Sequence, residues 1–143
     1  MTSKGFQRIV RDIQRLKIQG ASQVRKWAMK ALKLSVKESK AKNVAAFRKE
    51  LKRAVITLLK ARPTEPELRT SLRIFLQKAN TDFSAAHELK RFLVKAIDEY
   101  KKERSFALAI IAENGLKVFF DNAVVFTHCH SNTVEGILVQ AWK

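Results

Sequence analysis

The sequence predicts a mainly α chain that ends in the first β-strand and helix of an incomplete α/β domain. Three observations predict it. Apolar residues recur at the spacing of one helix face from about residue 21 to residue 111, a short continuous apolar run follows Gly115, and a helix-like stretch follows that run at once. With 143 residues there is room for one domain with a core and part of a second. The expected division is a helical N-terminal domain over 1–115 and the start of an α/β domain over 116–143.

Residues 3–17 mix basic and apolar side chains, and Gly20 then breaks the chain so that a helix starts at Ala21 or Ser22. In that helix Val24, Trp27, Ala28, Ala31 and Leu32 fall on one stripe. Asn43 is a suitable cap for the next helix, whose inward face is Phe47, Leu51, Ala54, Val55, Leu58 and Leu59. Pro63 lacks an amide hydrogen and disfavours helical angles in its predecessor, so this helix stops near Arg62.

Thr64 is the expected cap of a further helix, with Pro66 and Glu67 in its first turn. A long helix then begins at Asp82, keeps Leu89, Phe92, Leu93, Ala96, Ile97, Tyr100, Ala107, Ile110 and Ile111 on one stripe, and stops at Gly115. "AVVFTH" (123–128) reads as a strand buried on both faces. "SNTVEGILVQAWK" (131–143) reads as a helix with Asn132 as its cap and Glu135 completing a capping box. A strand followed directly by a helix opens a parallel βα unit. A lone strand cannot satisfy its own backbone groups, and the last helix has no stop signal, so the chain reads as the N-terminal part of something longer. Trp27 and Trp142 are expected in the core.

The formal net charge is +16, and it is unevenly spread. Residues 1–64 hold 18 Lys and Arg against 3 Asp and Glu, whereas residues 65–143 hold 11 against 10. Amphipathic helices normally present charged outer faces, and no aromatic residues that could stack on bases are interleaved with these charges. Nucleic acid is therefore not an expected partner. No run of 18 apolar residues and no signal-peptide pattern occur, which gives no reason to expect a membrane and makes the cytoplasm the expected compartment. The single cysteine agrees with a reducing environment.

That residue, Cys129, has three readings. As a metal ligand it would sit between His128 and His130, but consecutive side chains alternate sides of an extended segment and the only other histidine is His87, so no metal site is expected. As a structural residue it would be a small buried hydrophobe. As a reactive group it lies between a candidate strand end and a helix start, where open parallel sheets place ligands and where helix amides can lower a thiol pKa or bind an anion.

Four stretches, "LKIQGA" (16–21), "ESKAKNVAAFRKELKRA" (38–54), "ARPTEPELRTSLR" (61–73) and "AENGLKVFFDNAVVFTHCHS" (112–131), together resemble the archaeal ribose-1,5-bisphosphate isomerases of the initiation factor 2B alpha/beta/delta and methylthioribose-1-phosphate isomerase family. The resemblance spans nearly the whole chain. It implies a helical N-terminal domain followed by a Rossmann-like domain, assembly into dimers or hexamers, and conversion of the aldose ribose 1,5-bisphosphate to the ketose ribulose 1,5-bisphosphate in AMP salvage. It implies no cofactor.

By the same resemblance Cys129 is the catalytic acid/base or proton-relay group, with an aspartate partner further along the family's sequence. Arg62 matches a substrate-phosphate contact, and its guanidinium fork suits phosphate oxygens. Gln19, Gly20 and Ala21 match a phosphate-binding "RGA", with the positive charge lost at Gln19. Ser131 and Asn132, with the helix amides, fall on the anion side of the site. The aspartate and the family's later substrate-binding residues have no counterpart before Lys143, so the isolated chain is expected to be inactive. The alternative is a non-catalytic initiation factor 2B-like regulatory subunit. Such relatives commonly lack the cysteine and the "RPT" arginine, both present here.

Overall fold

The structure, a computed structural model, describes residues 3–128 and 131–142. Its helices are α1 (Lys4–Gln14), α2 (Ala21–Glu38), α3 (Val44–Ala61), α4 (Pro66–Lys78), α5 (Ala86–Leu116) and α6 (Asn132–Ala141). The chain divides into two compact units, Met1–Asp98 and Glu99–Lys143, and the division falls within α5.

The first unit is a helical core built on residues spaced three and four apart. Phe6, Ile9, Val10 and Ile13 line the inner face of α1. They meet Val24, Ala28, Ala31, Leu32 and Val36 of α2 and Phe47, Leu51, Ala54, Val55 and Leu58 of α3, all buried. Leu68, Leu72 and Phe75 of α4 and Leu89, Leu93 and Ile97 of α5 are buried as well. A fully buried Leu or Phe contributes roughly 1.5–3 kcal/mol. Trp27 is only half-buried, with the Lys30 ammonium 4.5 Å from its ring centroid.

Polar ties fix the ends of these helices. Ser3 Oγ accepts from the Phe6 amide (3.1 Å), and Asn43 Oδ1 accepts from the Ala46 amide (2.8 Å), as its place in the sequence suggests. Arg48 donates to the carbonyls of Ala79 and Thr81 just past α4, and Lys90 donates to those of Ser39 and Ala41 between α2 and α3. Lys33 bonds both carboxylate oxygens of Asp98.

α1 ends in a Schellman turn. The Lys17 amide donates to Asp12 O (2.9 Å) and the Leu16 amide to Ile13 O (3.2 Å), with Leu16 at φ 56°. Glycine usually takes that left-handed position, and a leucine there costs about 1–2 kcal/mol.

The second unit holds the end of α5, a connecting segment and α6. The expected strand is not formed: residues 123–128 carry no regular structure, and no strand occurs among the described residues. Val124 is 99% and Phe126 91% exposed. With no second extended segment to take up its backbone groups, the apolar run has no ladder to join. The mainly α expectation holds, whereas the strand and the Rossmann-like beginning do not.

Four smaller corrections share local causes. The cap of α4 is Glu65 rather than Thr64, with Pro66 at the first helical position, where its missing amide costs nothing. α5 begins at Ala86, four residues after Asp82. It continues past Gly115 to Leu116, and Gly115 serves close approach rather than termination: a Cβ there would lie 2.8 Å from the Ile137 side chain of α6. α6 is capped by Ser131, whose Oγ accepts from the Val134 amide at 3.4 Å, so the capping box on Asn132 is not made. Trp142 is 93% exposed and does not enter a core.

Candidate functional site

Two of the segments that carry the family resemblance lead into α2 and α4, helices that pack against each other in the first unit. Gln19, Gly20 and Ala21 lead into α2, and Arg62 stands at the end of α3, three residues before the cap of α4. The link between them is an ion pair: Arg25 Nε, in the second turn of α2, lies 2.6 Å from Glu67 Oε1, in the first turn of α4. Arg25 is 8% exposed. A charge so buried needs its partner, and the pair holds the starts of the two helices together.

Each segment is locally shaped for this position. Gly20 adopts φ 78° and ψ 138°, open to glycine and strained for other residues, and no atom stands within 4 Å of where its Cβ would be. Gln19 is exposed, and its side-chain amide donates to Leu16 O at 2.7 Å, which braces the turn after α1. Arg62 is half-buried at φ −148°, ψ 78°, its carbonyl accepts from the Glu65 amide (3.3 Å), and its guanidinium makes no hydrogen bond or ion pair among the described residues. Arg69 Nη2 donates to Pro63 O (2.7 Å) and closes the "RPT" turn.

Neither α2 nor α4 has a side-chain cap at its start, in contrast to α1, α3 and α6. An uncapped helix start and a guanidinium with no protein partner are each chemically suited to an oxyanion such as phosphate.

Cys129 lies outside the described residues. Ser131, in the second unit, spends its hydroxyl on capping α6. Among the described residues no three His, Cys, Asp or Glu side chains gather as a metal-binding group, and no helix is long and apolar enough to cross a membrane.

Sequence reading missed Arg25 and Glu67. Arg25, Met29, Leu32 and Val36 follow the spacing of one inward face, so a cation in that register signals a buried charge awaiting an acidic partner.

Residues 17–143 match the model of the initiation factor 2 subunit family. The chain belongs to that family. Among similar curated proteins, the ribose 1,5-bisphosphate isomerase of Thermococcus kodakarensis is 33% identical over 138 residues, covering 94% of this chain and 43% of the relative. The ribose 1,5-bisphosphate isomerase of Pyrococcus furiosus is 29% identical, over 94% of this chain and 42% of that protein. The 5-deoxyribose 1-phosphate isomerase of Moorella thermoacetica is 34% identical, over 85% of this chain and 35% of that protein. The chain thus spans less than half the length of the curated relatives it matches. Its fold is similar to one in the crystal structure of the tetrameric eIF2B-beta2-delta2 complex from C. thermophilum, with a TM-score of 0.80 at 24% identity over 95% of this chain and 45% of the other.

Proposed function

We propose that this initiation factor 2 subunit family chain supplies a phosphate-binding part of a sugar-phosphate aldose–ketose isomerase, with ribose 1,5-bisphosphate as substrate, ribulose 1,5-bisphosphate as product and AMP salvage as its setting. The observation that carries the proposal is the Arg25–Glu67 pair, which ties the start of α2, just after Gly20 and Ala21 in sequence, to the start of α4, just after Arg62. The names of the relatives support the substrate class. In this reading Arg62 and the amides at the start of α2 hold one phosphate, and Cys129 moves a proton at the carbon being isomerised. Gln19 contributes a neutral brace where a charge would otherwise bind.

The test is a titration of the 143-residue chain with ribose 1,5-bisphosphate, followed by backbone NMR. Shifts centred on residues 19–25 and 62–67, abolished in Arg62→Ala, are expected, together with no turnover by the chain alone. Shifts absent at millimolar ligand, or unchanged in Arg62→Ala, overturn the proposal. The second reading, a regulatory subunit like those of eIF2B, is favoured by Gln19 in place of an arginine. It gains if Gln19→Arg fails to strengthen phosphate binding.

A further inference from the structure

The two units differ sharply in charge. Met1–Asp98 carries 24 Lys and Arg against 8 Asp and Glu, a net +16, whereas Glu99–Lys143 carries 5 against 5. A total alone favours no partner, because any amphipathic helix shows a charged outer face. Placement says more. On α1 and its cap, Lys4, Arg8, Arg11 and Arg15 repeat at i, i+4, i+7 and i+11, one stripe opposite the buried one, and all four are exposed. On α3, Lys49, Arg53 and Lys60 repeat at i, i+4 and i+11, also exposed.

The two helices pack together, and two cavities open beside them. One cavity of about 310 Å³ is lined by Phe6, Gln7, Val10, Arg11 and Thr57. A second, of about 480 Å³, is lined by Ser3, by Ser35 and Glu38 to Lys40 around the end of α2, and by Glu50, Arg53 and Thr57 of α3, and shares Thr57 with the first. Arg11 and Arg53 therefore line two cavities that share Thr57. Glu38 and Glu50 line the second cavity with Arg53, and there Glu50 accepts from Ser39 Oγ at 2.6 Å. Among the described residues no carboxylate pairs with Lys4, Arg11, Arg15, Lys49, Arg53 or Lys60, and the Arg8–Asp12 contact is loose at 3.9 Å.

We propose that the α1–α3 face binds the phosphate backbone of a nucleic acid, without base selectivity. The stripe from Lys4 to Arg15 runs about 16 Å at the helical rise of ~1.5 Å per residue, which matches about five phosphates of a duplex strand at ~3.4 Å each along its axis. An acidic protein fits less well. Protein interfaces centre on apolar or aromatic anchors and are poor in lysine, whereas among the described residues of the first unit only Leu16 and Ile56 are exposed large hydrophobics. Phe6 is fully buried, so stacking on single-stranded bases is not on offer.

The experiment measures binding of a fluorescent 20-base-pair duplex of arbitrary sequence to the whole 143-residue chain by anisotropy, across 50–300 mM salt. Binding with four to six phosphate contacts gives a slope of log K against log salt of about −4 to −5. Arg11→Ala with Arg53→Ala, at unchanged helical circular dichroism, lowers the slope by about 2 and the affinity by roughly 10-fold or more at 100 mM salt. Lys101→Ala with Lys102→Ala, which removes the same charge from the second unit, leaves both unchanged. No binding at 50 mM salt, or equal losses in the two double variants, overturns the proposal. Poly-glutamate binding as tightly as the duplex through the same two arginines overturns it too, and assigns the face to an acidic protein.

Discussion

Arg25 and Glu67 stand 42 residues apart in sequence and 2.6 Å apart in the fold. Their side chains are 10% and 25% exposed, so the pair is partly shielded from water and cannot be treated as a surface ornament. Removing the carboxylate leaves the Arg25 charge buried without its partner. Glu67→Ala is expected to destabilise the chain by about 3 kcal/mol, the lower end for a broken buried pair because Glu67 keeps some solvent. Chemical denaturation followed by circular dichroism checks it; a loss below ~1 kcal/mol would show that water reaches Arg25.

Gly20 is the second test, because its φ of 78° and its open surroundings separate backbone strain from steric crowding. Gly20→Ala is expected to cost about 1–3 kcal/mol through strain alone. A variant as stable as the parent would mean that the turn relaxes, and NMR shifts confined to residues 16–24 would locate the change.

Leu16 offers the opposite sign. It holds the left-handed position of the Schellman turn with its side chain 48% exposed, so glycine would relieve strain and sacrifice little burial. Leu16→Gly is expected to stabilise by about 0.5–1 kcal/mol, the relief being partly offset by the greater freedom of glycine in the unfolded chain. Thermal melts of the two proteins should place the variant several degrees higher.

In the second unit, Gly115→Ala puts a methyl group against Ile137, whose branched side chain has little freedom to move aside. The expected cost is about 1–3 kcal/mol, felt at α6 before anywhere else. Ile137→Ala in the same background should recover part of it, and a double-mutant cycle showing no coupling would exclude the contact.

The helices were legible where spacing and caps agreed. Asn43, Phe47 and Leu51 announce α3 and Pro63 announces its end; Gly20 announces the start of α2. α1 is written as plainly, in Phe6, Ile9, Val10 and Ile13, once the basic residues between them are seen as its outer face. The strand failed for a physical reason. "AVVFTH" has the composition of a buried strand, but pairing is a property of two segments, and composition describes one. Residue 115 misled because glycine marks both helix ends and close contacts, and only the neighbour, Ile137, distinguishes the two. Arg62 and the 19–21 turn were singled out through resemblance to a family motif, whereas the Arg25–Glu67 contact required a pairing across 42 residues that no local pattern encodes.

The last helix has a further consequence. α6 is ten residues long and buries none of its side chains fully. Helices of that length are marginal in water when unsupported, because nucleation consumes most of what propagation returns. Its amide protons should therefore trade with solvent through openings far smaller than those that expose Leu32 or Phe47. Deuterium uptake by α6 then works as a built-in gauge of the contact at Gly115: anything that seats on that helix will slow the exchange long before it changes the melting of the rest.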